Sequence, residues 1–209
     1  MDYRGGKPKS HLAKVNGKFQ ELTTKPLPVL KGMWSIPVQF TAPESEKEGL
    51  LAGVRNVVSK LGPGVETLEF NIAELSGEWQ GVKHITDAKT KMMSPQEQFA
   101  ELSQDLSDKP VILYIHGGAY ILCSPDTHRA MTLRLAECCQ GRVFAVKYRL
   151  APQEQFPAAL IDAVMAYKYL IDPPVGALHT AIDPAKIVIA GDSAGVKRHL
   201  GTLTDCRDV

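Results

Sequence analysis

A chain of 209 residues, 44% apolar and 22% charged, has the make-up of a folded globular protein and the length to bury a real core. A formal net charge of +1 supplies no electrostatic footprint for nucleic acid or an anionic membrane surface, so neither is expected as a partner. No apolar run approaches the ~18 residues of a spanning helix, and the opening MDYRGGKPKS lacks the apolar core of a secretory leader.

Cys123, Cys138, Cys139 and Cys206 show neither a C-x-x-C spacing nor a metal pattern with histidine, so a reducing, cytoplasmic location with no metal and no cofactor is expected. In chain order, residues 1–65 are weakly patterned, and Pro26, Pro28 and Pro37 break any long helix. Within them SEKEGLLAGVRNVVSKLG predicts a helix. Ser45 is its N-cap, Leu50, Leu51, Val54, Val57, Val58 and Leu61 form one apolar face, and Gly62-Pro63 ends it. VETLEFNIAEL and EWQGVKHI alternate apolar and polar residues on either side of Ser76-Gly77, which predicts an antiparallel hairpin. Residues 86–109 are polar and read as a loop with a short helix.

The texture then changes. VILYI (111–115), VFAVKY (143–148) and IVIA (187–190) are β-branched runs without alternation, the pattern of parallel strands buried on both faces. Helices are predicted between them, from Pro125 to Cys139 with Gly141 after the end, and from Pro157 to Leu170 before Pro173-Pro174. Strands alternating with helices imply a doubly wound, mostly parallel α/β sheet.

In such sheets, sites gather at the carboxyl ends of the strands. VILYI runs directly into His116-Gly117-Gly118-Ala119-Tyr120, and IVIA into Gly191-Asp192-Ser193-Ala194-Gly195. The second is the pattern of a nucleophile elbow: a serine on a sharp strand-to-helix turn needs small neighbours two residues away on both sides. The first lets backbone amides face the cleft, so Gly117, Gly118 and Ala194 are candidate oxyanion donors. Alone, G-x-S-x-G is a common pattern and a Gly-Gly pair is ordinarily a plain turn; the two together, each directly after an apolar strand, are far more specific. There is no Gly-Lys-Ser/Thr phosphate loop and no G-x-G-x-x-G dinucleotide turn.

YIHGGAY, YRLAPQEQFPAALIDAVMAYKYL and DPAKIVIAGDSAG together resemble the hormone-sensitive-lipase-like branch of the α/β-hydrolases, which contains carboxylesterases, lipases and arylacetamide-deacetylase-like enzymes. The close match covers about residues 110–195. The resemblance implies hydrolysis of a small acyl ester through an acyl-enzyme, with Ser193 as nucleophile and Gly117, Gly118 and Ala194 as oxyanion donors. It makes His116, Gly191, Asp192 and Gly195 motif residues with structural roles. Tyr148-Arg149-Leu150-Ala151-Pro152 and Asp162 become scaffolding. It assigns 1–65 to a cap-like segment, 66–195 to the N-terminal portion of the hydrolase domain and 196–209 to a divergent tail. Ala119 stands where the commoner pattern has a third glycine.

In this fold the triad runs Ser, then Asp or Glu, then His. After Ser193 the sequence holds one histidine, His199, six residues on. A continuing helix would carry it ~9 Å along an axis leading away from the elbow, whereas a base must come within ~3 Å of the hydroxyl. His199 with Asp205 therefore fails on geometry. His11, His84, His128 and His179 lie in segments with better structural or surface explanations. Val196, Lys197 and Arg198 replace the small and apolar residues with which the family continues its elbow. The expectation is a C-terminally truncated hydrolase, esterase by family and inactive as it stands. The alternative is a non-catalytic small-molecule-binding or regulatory fragment of the same family.

Overall fold

The computed structural model of the chain describes residues 11–60 and 68–197. Among these, five strands form one sheet: β1 (Met33–Phe40), β2 (Leu75–Val82), β3 (Val111–Ile115), β4 (Arg142–Lys147) and β5 (Ile187–Gly191), in the order β1-β2-β4-β3-β5. β3 lies parallel to both β4 and β5, while β2 runs antiparallel to β1 and β4. All of β3 is buried, as are Val143, Phe144, Ala145 and Val146 of β4, which is why both read as unbroken apolar runs.

Alternate residues of β3 serve the two faces. Val111, Leu113 and Ile115 join the main core, with α2 (Glu44–Ser59) and α6 (Ala158–Ile171) packed over them. Ile112 and Tyr114 face a second cluster with Ala136 of α5 (Arg129–Cys139). Helices thus cover both faces, as a doubly wound sheet requires. The remaining helices are α1 (His11–Thr23), α3 (Asp87–Thr90), α4 (Pro95–Ser103) and α7 (Ala194–Lys197).

Several expectations need correction. The hairpin about Ser76-Gly77 does not form: both residues lie inside β2, residues 68–74 form no strand, and the partner of β2 is β1. A side chain at Gly77 would collide with the Phe144 ring, and one at Gly81 with Leu102. Those glycines mark close packing, not a turn. β1 itself was hidden by Pro37, which has no N–H to donate and is tolerated because β1 stands at the end of the strand order. Helix α2 starts at Glu44 behind Pro43, one residue ahead of the predicted cap, and buries Leu50, Val54 and Val58; the predicted Gly62-Pro63 stop lies outside the described residues. Finally, α5 is preceded by a 3-10 turn at Pro125–His128, and Gln140, at φ 50°, takes the left-handed position expected of Gly141. Gly141 instead sits where a side chain would strike the Pro110 carbonyl.

The polar stretch 86–109 carries two helices rather than one. The start of α4 is set by a capping box: the Glu97 amide donates to Ser94 Oγ (3.3 Å) and the Ser94 amide to Glu97 Oε2 (2.7 Å). Within the segment expected to be a cap, β1 and α2 are built into the sheet and its core through Trp34, Ile36, Phe40, Leu50, Val54 and Val58. Helix α1 is attached differently. Gln20 Nε2 donates to the carbonyls of Ile121 (2.7 Å) and Ala151 (3.0 Å), clamping the helix onto the loops that follow β3 and β4.

Candidate active site

The parallel pairing of β3 with β5 puts their carboxyl ends side by side, Ile115 opposite Gly191. The chain leaves β5 through Asp192 and Ser193 and enters α7 at Ala194. Ser193 has φ 46°, a left-handed conformation rare for a residue with a side chain, and it is exposed. A Cβ on Gly191 or on Gly195 would run into the Ile115 carbonyl oxygen. The two glycines are thus required by the close approach of the turn to β3, and the turn holds its serine in a strained, outward-facing position.

The turn after β3 is held against this elbow by one carboxylate. Asp192 Oδ1 accepts from the Gly117 amide (2.8 Å) and from the Tyr114 hydroxyl (3.0 Å), and His128 Nε2 lies 3.3 Å away. Burial raises the Asp192 pKa, but the Gly117, Tyr114 and His128 contacts outweigh it and leave the carboxyl below its ordinary value. A second tie crosses the site, where the Tyr120 hydroxyl donates to the Ala194 carbonyl (2.7 Å). The loop between is left-handed at Gly118 (φ 110°), Ala119 (φ 55°) and Tyr120 (φ 61°). Gly118 is needed there, since a Cβ would meet the Leu122 carbonyl. Ala119 takes the left-handed position at a cost that a glycine would avoid.

His116 is buried at 1% exposure and braces the loop. Its Nδ1 lies 2.7 Å from the Gly117 carbonyl, which can only accept, so Nδ1 carries the hydrogen and Nε2 keeps a lone pair. Burial pushes its pKa down to about 4, so the ring is neutral at neutral pH. It stacks on Tyr148 (centroids 4.2 Å apart, 17°), whose hydroxyl donates to the His116 carbonyl (2.7 Å). Tyr148 in turn precedes Arg149, whose guanidinium and amide grip the fully buried Asp162 at 2.7 Å each.

Of the residues singled out from sequence, Ser193, His116, Gly117, Gly118, Gly191, Asp192, Ala194 and Gly195 meet at this one corner. Gly117 has a different partner from the one expected: its amide is directed at Asp192. His179 is a core residue, its Nε2 3.0 Å from the Tyr169 carbonyl and its ring edge-on to Trp79, with burial pushing its pKa down to about 4. His84 is exposed. His199 and Asp205 lie outside the described residues. His128 is the residue that the sequence did not point to. It stands 64 positions from Asp192, and no spacing or motif connects the two. Among the described residues, no group of three or more His, Cys, Asp or Glu side chains is placed to hold a metal ion. A cleft of about 400 Å³ lies between α1 and residues 147–154, with Gln20, Cys123, Tyr148 and Leu150 in its wall.

A strained serine between two glycines, at the end of a parallel strand of a mixed α/β sheet and tied to a glycine-rich turn on the neighbouring strand, defines a nucleophile-elbow hydrolase scaffold. Comparison with known proteins agrees. Residues 112–204 match the model of a family with the alpha/beta hydrolase fold. An acetyl-hydrolase of Streptomyces hygroscopicus is 38% identical over 101 residues, which is 48% of this chain and 31% of that protein. Carboxylesterase NlhH of Mycobacterium tuberculosis is 32% identical over 169 residues, 80% of this chain and 48% of that protein. In fold, an esterase of Pyrobaculum calidifontis superimposes with a TM-score of 0.52 at 23% identity, over 97% of this chain and 49% of that one. The chain has the α/β-hydrolase fold, and its sequence is similar to acetyl-hydrolases and carboxylesterases. It spans about half or less of the length of these relatives.

Proposed function

We propose that this chain carries the nucleophile half of a carboxylic ester hydrolase that works through an acyl-enzyme. Ser193 Oγ attacks the acyl carbonyl carbon while its proton passes to a general base, and the carbonyl oxygen becomes an oxyanion facing the amides of Gly118 and Ala194. Collapse expels the alcohol and leaves the acyl group on Ser193; water then releases the carboxylic acid by the same steps. The observation that carries the proposal is the geometry of Ser193, held at φ 46° between two glycines that abut β3.

The base and its acid partner follow the serine in the chain order of this fold. His128 does not take the base's place, because its Nε2 is engaged with Asp192. We therefore expect the chain by itself to show no turnover of p-nitrophenyl butyrate above a Ser193→Ala control. Turnover that Ser193→Ala removes would show that a base is already present. A second reading, a ligand-binding member without catalysis, is favoured by the cleft of about 400 Å³ beneath α1. Saturable binding of a small ester to both wild type and Ser193→Ala, with no acylation of Ser193, would select it.

A further inference from the structure

His128 belongs to no motif that marks the elbow, yet it reaches the carboxylate on which both turns depend. We propose that His128 is a positioning residue for the oxyanion loop, acting through Asp192; the proposal rests on Ser193 being the nucleophile. The imidazole sits at the end of the 3-10 turn Pro125–His128, which is anchored by the fully buried Ser124. Its Nδ1 lies 2.9 Å from Thr127 Oγ1, whose hydroxyl can donate to it, so the ring is aimed from behind and the hydrogen sits on Nε2. Nε2 then faces Asp192 Oδ1 at 3.3 Å.

Asp192 Oδ1 therefore gathers three groups from three places: Tyr114 on β3, Gly117 in the oxyanion loop and His128 ahead of α5. The first two lie within four residues of one another and cannot alone fix the carboxylate against rotation toward solvent, to which it is 42% exposed. His128 approaches from the turn ahead of α5 and supplies the third point. The same ring lies over His116, with centroids 5.7 Å apart and planes at 29°, and so continues the His116–Tyr148 stack that supports the loop. Other titratable groups face this cluster: Tyr148 and Lys147 from the end of β4 act on Asp192 or His116, and Asp126 of the same turn is paired with Arg129 at 2.9 Å. The consequence is a loop whose Gly117 amide, and with it the neighbouring Gly118 amide, is held in register with Ser193 only while His128 donates to Asp192.

Two variants separate donor from ring. His128→Phe keeps the stack and removes the donor, whereas His128→Gln restores a donor without the ring. Nuclear magnetic resonance of the isotopically labelled chain, without substrate, reads the Asp192 carboxyl carbon through a pH titration together with the Gly117 amide proton; urea unfolding controls for folding. His128→Phe is expected to raise the Asp192 midpoint by about half a pH unit and shift the Gly117 amide upfield, at unchanged unfolding midpoint. His128→Gln is expected to return the Gly117 resonance toward wild type. Unchanged Asp192 and Gly117 signals in His128→Phe would overturn the proposal, as would a change that His128→Gln fails to restore. Ser193→Ala leaves both signals in place, so failure of Ser193 as a nucleophile and failure of the His128 contact give different results.

Discussion

Gly195→Ala places a methyl group directly against the seam between the elbow and β3. Its carbon would collide with the Ile115 carbonyl oxygen and lie 3.3 Å from that of His116. The first is a backbone atom of β3, whose two edges are paired to β4 and β5, and the second is backbone of the next residue, so neither can yield as a side chain would. Forced overpacking of this kind costs about 1–3 kcal/mol, and the rigid contact puts this case at the upper end, about 3 kcal/mol. Gly49→Ala is the matched control. It lies inside α2, nothing is within 4 Å of its would-be Cβ, and alanine favours a helix interior over glycine by roughly 0.5–1 kcal/mol. The two glycine-to-alanine changes should therefore move stability in opposite directions. Equilibrium urea unfolding reads the difference: with a slope of about 2 kcal/mol per molar, the Gly195→Ala midpoint falls by more than 1 M and the Gly49→Ala midpoint rises. A Gly195→Ala protein as stable as wild type would show that the turn does not approach β3 this closely.

Three further outcomes follow from other parts of the structure. Ser193→Gly should raise stability by about 1 kcal/mol in the same urea assay, because glycine adopts φ 46° without strain; a loss would mean the elbow is relaxed. Arg129→Leu leaves Glu78 and Asp126, two carboxylates that the buried guanidinium holds at 2.7 and 2.9 Å, without their cation, and should cost about 3–5 kcal/mol; thermal unfolding within a degree of wild type would refute it. His116 and His179 both have pKa values lowered by burial to about 4, so the unfolded chain binds protons first on acidification. Stability is then fully present above about pH 6.5 and falls as the pH drops toward 4, and His179→Phe should remove about half of that slope. A urea midpoint independent of pH across this window would contradict both assignments.

How much of this was legible in the sequence depends on whether the determining contact is local. β3 and β4 were legible because strands buried on both faces must be apolar throughout, whereas β5, expected to be buried on both faces, is a partly exposed strand at the end of the sheet order, with Val188 50% exposed. Ser193 was legible because the closeness of its turn to β3 admits only glycine at 191 and 195, which is a spacing rule. β1 was not, since Pro37 and the exposed residues of an edge strand dilute its pattern. Gly77 misled because a glycine that makes room for Phe144 looks the same in sequence as one that turns the chain. The engagement of the Gly117 amide by Asp192, and the arrival of His128 beside them, are tertiary contacts between distant segments. Nothing in the local sequence encodes either one.

The central proposal is that the strained turn preorganises Ser193 as a nucleophile. An oxyanion site without a complete triad still accelerates acylation on the order of 10³-fold over water. The measurement is peptide mapping by mass spectrometry after exposure of the 209-residue chain to a fluorophosphonate. The predicted result is slow, single-site labelling at Ser193, abolished in Ser193→Ala. Labelling spread over other hydroxyls, with Ser193 unmodified, would contradict it.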